Sequence, residues 1–214
     1  MRPVAGRDVA VPRWQHGRMP LTQFYTAASL DGFLADEDGS LQWLFDAAGG
    51  EDPGADPGWA SFFGAVGAMA MGATTYEWVH EHEDLDRHPE RWTDAYAGVP
   101  CWVFTHRDLP VVAGADVRLV AGPVVPVHAE MAAAAADRNV WLVGGGALVG
   151  QFHDAGLLDQ LVVTLAPVTL GAGAPLLPRR VEGLRLRDVR TSGALVSLTY
   201  DVPGGSGSRR AASH

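Results

Sequence analysis

The sequence predicts an α/β domain whose mixed sheet has a parallel centre, an antiparallel C-terminal hairpin and helices on both faces. Three observations carry the prediction. Short apolar runs rich in β-branched and aromatic residues alternate with longer amphipathic stretches, the pattern of strands joined by crossover helices. The runs 184–187 and 195–198 alternate apolar with polar and have no helical stretch between them, so the chain turns back on itself across Ser192 and Gly193. Hydrophobic residues make up 47% of the 214 and charged residues 19%, which fills a core and argues against a disordered chain or a coiled coil.

Taken in order, strands are expected over 22–28, 66–71, 101–105, 117–120, 140–143, 160–168, 184–190 and 195–202. Helices are expected over 57–65, 75–84, 90–97, 127–138 and 147–155, the fourth being alanine-rich and of high intrinsic propensity. The segment 49–58, rich in Gly, Pro and Asp, reads as an ordered loop with Asp56 as the N-cap of the helix after it. Residues 1–20 mix arginine and proline without periodicity and read as a disordered leader, with Met19 as an alternative start. Pro203 opens a Gly-, Ser- and Arg-rich run to His214 that reads as a flexible tail. One domain over 21–202 remains.

Composition removes several classes of function. Sixteen basic against 25 acidic residues leave a net charge of −9, and no basic run interrupts it, so nucleic-acid binding is disfavoured. The single cysteine, Cys101, forms no internal disulfide, which fits a cytoplasmic location. No apolar run approaches a membrane span and no signal-peptide h-region is present. His80 and His82 lie two apart and do not share a helix face; with Glu81 and Glu83 they read as a solvated surface, so no metal is expected.

The chemistry concentrates at strand-to-helix turns. Val140-Trp141-Leu142-Val143 runs into Gly144-Gly145-Gly146 and a helix. Glycines there let backbone approach a ligand, and the helix start offers free N–H groups to an anion; a tight packing turn explains the same residues. Val149 stands where the Rossmann fingerprint Gly-x-Gly-x-x-Gly has its last glycine, so that fingerprint is absent. At a second turn, Gly72 is followed by Thr74 and Thr75, which suit either a helix cap or a phosphate. A third strand ends in Thr105-His106-Arg107, either an exposed loop or a hold for an extra phosphate. Parallel strands bring the helix starts after such turns to one sheet edge, where one diphosphate cofactor meets both.

These turns, together with 27–32 (Ala-Ala-Ser-Leu-Asp-Gly), 157–161 (Leu-Leu-Asp-Gln-Leu) and 169–177, resemble the dihydrofolate-reductase-like superfamily. More closely, residues 22–202 resemble the reductase domain of the bifunctional riboflavin-biosynthesis deaminase-reductase and its stand-alone bacterial relatives. The resemblance implies hydride transfer from NADPH to a small heterocyclic substrate, pterin-like or ribosylaminopyrimidine-like. It implies Gly144, Gly145 and Gly146 on the pyrophosphate, with Val149 on the helix that follows. Gly72, Thr74 and Thr75 take the other phosphate side, Thr105, His106 and Arg107 the 2′-phosphate, and the Ala28 backbone the nicotinamide. Dihydrofolate reductase has a basic residue after the glycine of the second motif, where this chain has Ala73. The zinc signature of the deaminase half is missing, since Cys101 has no partner cysteine.

Hydride transfer calls for a proton donor near the accepting atom. Asp31 follows the first strand, although Asp-Gly also makes a turn, and Asp56 is the second candidate. Trp43 and Phe45 are candidate walls for a planar ring, or core. The competing function is a ligand-binding protein that retains the cofactor cleft without chemistry. A homodimer is expected through the C-terminal hairpin, whose Leu195, Val196, Leu198 and Tyr200 are expected to lie along an exposed edge.

Overall fold

The computed structural model describes residues 20–47 and 57–204. Asp56 and nearly all of the expected leader and tail lie outside them. The chain runs through β1 (Thr22–Ser29), β2 (Phe33–Ala35), α1 (Gln42–Ala47) and α2 (Pro57–Gly64). Next come β3 (Val66–Gly72), α3 (Ala73–His82), α4 (Glu90–Tyr96), β4 (Cys101–Phe104) and β5 (Val117–Val120). Then follow α5 (Val124–Ala135), β6 (Asn139–Gly144), α6 (Gly146–Asp154) and β7 (Gln160–Ala166). The two-residue β8 (Ala174–Pro175) precedes the hairpin of β9 (Arg185–Ser192) and β10 (Leu195–Asp201).

Eight strands form one sheet in the order β5-β4-β3-β6-β1-β7-β10-β9. From β5 to β7 every pairing is parallel; β10 pairs antiparallel with both β7 and β9. The central strands are buried on both faces, which is why β3 reads as a continuous apolar run, Val-Gly-Ala-Met-Ala-Met, with no alternation. Side-chain parity then sorts them. Ala68, Ala70, Phe24, Leu142 and Val163 pack beneath α5 and α6, while Met69, Met71, Cys101, Val103 and Trp141 pack beneath α3 and α4.

Beyond those helices one sheet face is polar. Asn139 donates to Gln23, Gln23 to Gln160, and Gln160 to Asp201, at 2.7–3.1 Å, and Asp201 pairs with Arg187. This chain of side chains crosses the five strands from β6 to β9.

Several elements differ from expectation for local reasons. α5 begins at Val124, three residues early, because Pro126 falls in the first turn, where a missing N–H costs nothing. α3 starts at Ala73 with Gly72 as its N-cap, so neither Thr74 nor Thr75 caps it. α1 and the pair β2–β8 were not foreseen: Phe33 meets Pro175 across a long stretch of chain. The sheet edge is β9, outside β10, so Leu195, Val196, Leu198 and Tyr200 are half-buried, and the exposed apolar residues there are Leu186 and Val189.

Candidate functional site

β3 and β6 lie side by side and run parallel, with Met71 opposite Gly144. The helices that follow them, α3 and α6, therefore begin next to each other at one edge of the sheet. Their N-caps are Gly72 and Gly145, and neither helix has a side-chain cap. The first N–H groups of both are thus without a side-chain cap, and the two dipoles point the same way.

The three glycines of β6 and α6 do different work. A Cβ on Gly146 would sit 2.4 Å from the carbonyl oxygens of Pro175 and Leu176, so only glycine lets the segment around β8 close over the start of α6. A Cβ on Gly144 would come within 3.2 Å of Thr75 Oγ1. Gly145 is open, with Thr75 Oγ1 at 4.0 Å as the nearest contact.

These turns form one end of a cleft of about 610 Å³. Gly72, Thr74 and Thr75 line it from β3 and α3, and Gly144, Gly145 and Gly146 from the facing turn. Half-buried or buried aromatic residues wall the other part: Tyr25, Trp59, Trp78, Tyr96 and Trp141. Trp59 meets Tyr25 and Trp141 at 5.6 and 5.2 Å between ring centres, edge to face, and the Trp141 indole N–H donates to the Tyr25 carbonyl at 3.0 Å. Leu41 and Leu44 close the cleft from the α1 side. Among the described lining residues there is no Asp, Glu, His, Lys or Arg. The phenols of Tyr25 and Tyr96 are the titratable groups there, and burial pushes Tyr96 well above the usual tyrosine value.

Of the residues singled out from sequence, the six of the two glycine turns meet in this cleft. The others stand elsewhere. Ala28 and Val149 are fully buried in the core, and it is Ala27, on the opposite face of β1, that reaches the cleft. Thr105, His106 and Arg107 follow β4, beside β3, outside the lining. Thr105 Oγ1 accepts the Arg107 N–H at 2.9 Å, and the Arg107 guanidinium grips both carboxylate oxygens of Glu77 on α3 at 2.8 and 2.6 Å. Phe45 stacks on His82, whose ring also stacks on Trp78. The Trp43 indole N–H is buried without an acceptor among the described residues.

Asp31 has a structural task. Its carboxylate accepts the Ser29 hydroxyl at 2.6 Å and the N–H groups of Leu170 and Gly171, the latter at 2.7 Å. The Ser29 hydroxyl and those N–H groups hold its pKa below the ordinary carboxylate value. A group held ionised in this way, outside the cleft lining, is poorly placed to donate a proton.

An eight-stranded sheet with a parallel centre, a C-terminal hairpin and a cleft at the carboxyl ends of its middle strands defines a dihydrofolate-reductase-like domain. Within that class, the chain belongs to the family of the RibD C-terminal domain, whose family model matches residues 79–196. It is 30% identical over 183 residues to the uncharacterised protein YwjB of Bacillus subtilis strain 168, covering 84% of this chain and 96% of that protein. Among solved structures, a candidate riboflavin biosynthesis protein of Shewanella sp. PV-4 matches with a TM-score of 0.65 at 26% identity, over 86% of this chain and 99% of that one. RibD of Acinetobacter baumannii shares the fold, with a TM-score of 0.62 at 17% identity, and this chain spans 58% of its length.

Proposed function

We propose that the protein is an NADPH-dependent reductase acting on a small heterocyclic substrate. The observation that supports the reading is the pair of helix N-termini without side-chain caps that open, through Gly72 and Gly145, into a cleft with an aromatic wall. The donor set suits a diphosphate: backbone N–H groups from two helices, the hydroxyls of Thr74 and Thr75, and an open approach at Gly145. NADPH bound there supplies a hydride. Thr105, His106 and Arg107 would hold its 2′-phosphate, with Arg107 exchanging the Glu77 carboxylate for the phosphate. Ala27, the Gly144 turn, Leu41 and Leu44 line the same cleft and would help to exclude water from it. With no carboxyl, imidazole or ammonium among the described lining residues, solvent would supply the proton that the reduction also needs.

Calorimetric titration with NADPH, followed by loss of NADPH absorbance against pterins, ribosylaminopyrimidines and simple carbonyls, tests the reading. Absence of NADPH binding refutes it. Because the described lining residues include no acid, a second reading stands beside the first, a nucleotide-binding protein without chemistry; NADPH bound tightly and never consumed by the panel selects it. The protein works in the cytoplasm as a homodimer joined through β9, whose Leu186 and Val189 are 54% and 51% exposed on an unpaired edge. Light scattering at micromolar concentration that returns the 22.7 kDa mass of one chain rules out the dimer.

A further inference from the structure

We infer that the substrate half of the cleft takes an uncharged planar heterocycle and excludes one that carries a phosphate. The inference rests on the reductase reading, because it assigns the helix N-termini to the cofactor and asks what remains for the substrate. What remains is aromatic and neutral. Trp59, Trp78, Trp141 and Tyr25 line the cleft together with Leu41 and Leu44, an apolar, aromatic-rich lining that suits a flat ring.

A substrate phosphate needs a cation or a cluster of N–H donors once water is displaced. The described lining offers no cation. All 16 basic residues of the chain are arginines; Arg107 is engaged with Glu77, and Arg179, next to the lining residue Pro178, with Asp154 at 2.8 Å. Residues 48–56, between α1 and α2, contain Glu51, Asp52 and Asp56 and no basic residue. Thr26 and Thr164 also line the cleft; Thr26 Oγ1 donates to the Ala27 carbonyl at 3.2 Å and Thr164 Oγ1 shares a hydrogen bond with Ser197 Oγ at 2.7 Å, and each oxygen keeps a lone pair that can accept from a neutral ring. Specificity against a charged arm then follows from what the pocket withholds.

The test uses the full chain and a matched pair of probes, a ribosylaminopyrimidine and its 5′-phosphate, with lumazine as the ring alone. Binding is read from quenching of tryptophan fluorescence at about 0.3 M salt, where long-range repulsion by the net charge is largely screened. The expected result is saturable quenching by lumazine and by the unphosphorylated compound, with the phosphate weakening binding at least tenfold. Leu44→Arg, which places a cation at the rim, is expected to bring the phosphorylated probe to within threefold of its partner. Phosphorylated probe bound as tightly as, or more tightly than, its partner in the unmodified protein overturns the inference, and so does absence of quenching by any of the three. NADPH calorimetry on the same sample separates the two levels: failure there removes the cofactor reading, whereas NADPH binding with the wrong probe order removes this inference alone.

Discussion

Gly145→Asp separates the fold from the site. Gly145 has an extended backbone (φ −90°, ψ 172°), is the N-cap of α6, and has room for a side chain. Aspartate is a preferred N-cap, so the substitution adds a hydrogen bond to a free N–H of α6 and stabilises the helix by a few tenths of a kcal/mol relative to glycine, on the order of 0.3. The same carboxylate stands where the proposed diphosphate lies. Two unit charges about 5 Å apart at an effective dielectric of about 20 repel by about 3.3 kcal/mol, which is roughly a 250-fold loss of affinity. NADPH affinity by calorimetry and melting temperature by circular dichroism should therefore move in opposite senses, with binding lost and melting unchanged or raised. Gly145→Ala controls for bulk, because its Cβ meets only Thr75 Oγ1 at 4.0 Å, and it should weaken binding by tenfold at most. Equal losses in the two variants would refute the electrostatic argument, and unchanged affinity in a folded Gly145→Asp protein would refute the site.

Four further outcomes are expected. Arg107→Ala should narrow the preference for NADPH over NADH by about 1.5 to 3 kcal/mol, and Glu77→Gln, which frees the guanidinium, should widen it; equal affinities in the unmodified protein remove the assignment. Gly146→Ala drives a methyl group into the Pro175 and Leu176 carbonyls and should lower stability by about 1 to 3 kcal/mol in urea titration, and a silent substitution contradicts the close packing seen there. Asp31→Asn should destabilise the protein at neutral pH and speed amide exchange at Leu170 and Gly171. The native carboxyl has a lowered pKa, so its contribution is complete above the unfolded value of 3.8 and fades as pH falls through the folded one; a deficit that persists at lower pH shows another cause. Finally, turnover with a good substrate should change little between about pH 5 and 9, because the described cleft holds no group other than its phenols to titrate; a steep limb near neutrality points to an acid outside the described residues.

The parts of the fold legible in the sequence are those written in local pattern. The apolar runs at β1, β3, β6 and β7 stand out because parallel central strands are buried on both faces, and the glycines after β3 and β6 mark the turns that meet in the cleft. The family resemblance added an expectation that spacing alone does not state, that those turns take one cofactor. What stayed hidden depends on distant partners. Asp31 reads as a turn residue, yet it binds N–H groups about 140 residues away. β8 is two residues long and exists only because β2 lies beside it. Around α1 it is Leu41, just before the helix, and Leu44 within it that line the cleft, and not Trp43 or Phe45; six helical residues are too few to display a period. Trp59, Trp78 and Trp141 come from three separate elements, and only assembly makes them one wall.

The place of β1 in the sheet governs how the chain must be made. Among the described strands it is the first synthesised, and it sits between β6 and β7; the N–H of Leu21, just before it, finds its acceptor, the Asn139 side chain, only 118 residues later. At about 5 to 20 residues per second, translation leaves this apolar strand without a partner for roughly 6 to 24 s. Closing so long a loop comes before any reward from pairing, which places folding of this domain on the slow side and after most of the chain has emerged. A nascent chain arrested before β6 should remain protease-sensitive throughout β1, and one extended past β7 should protect it. The stretch Phe24-Tyr25-Thr26-Ala27-Ala28 is then the segment a ribosome-associated chaperone has most reason to hold.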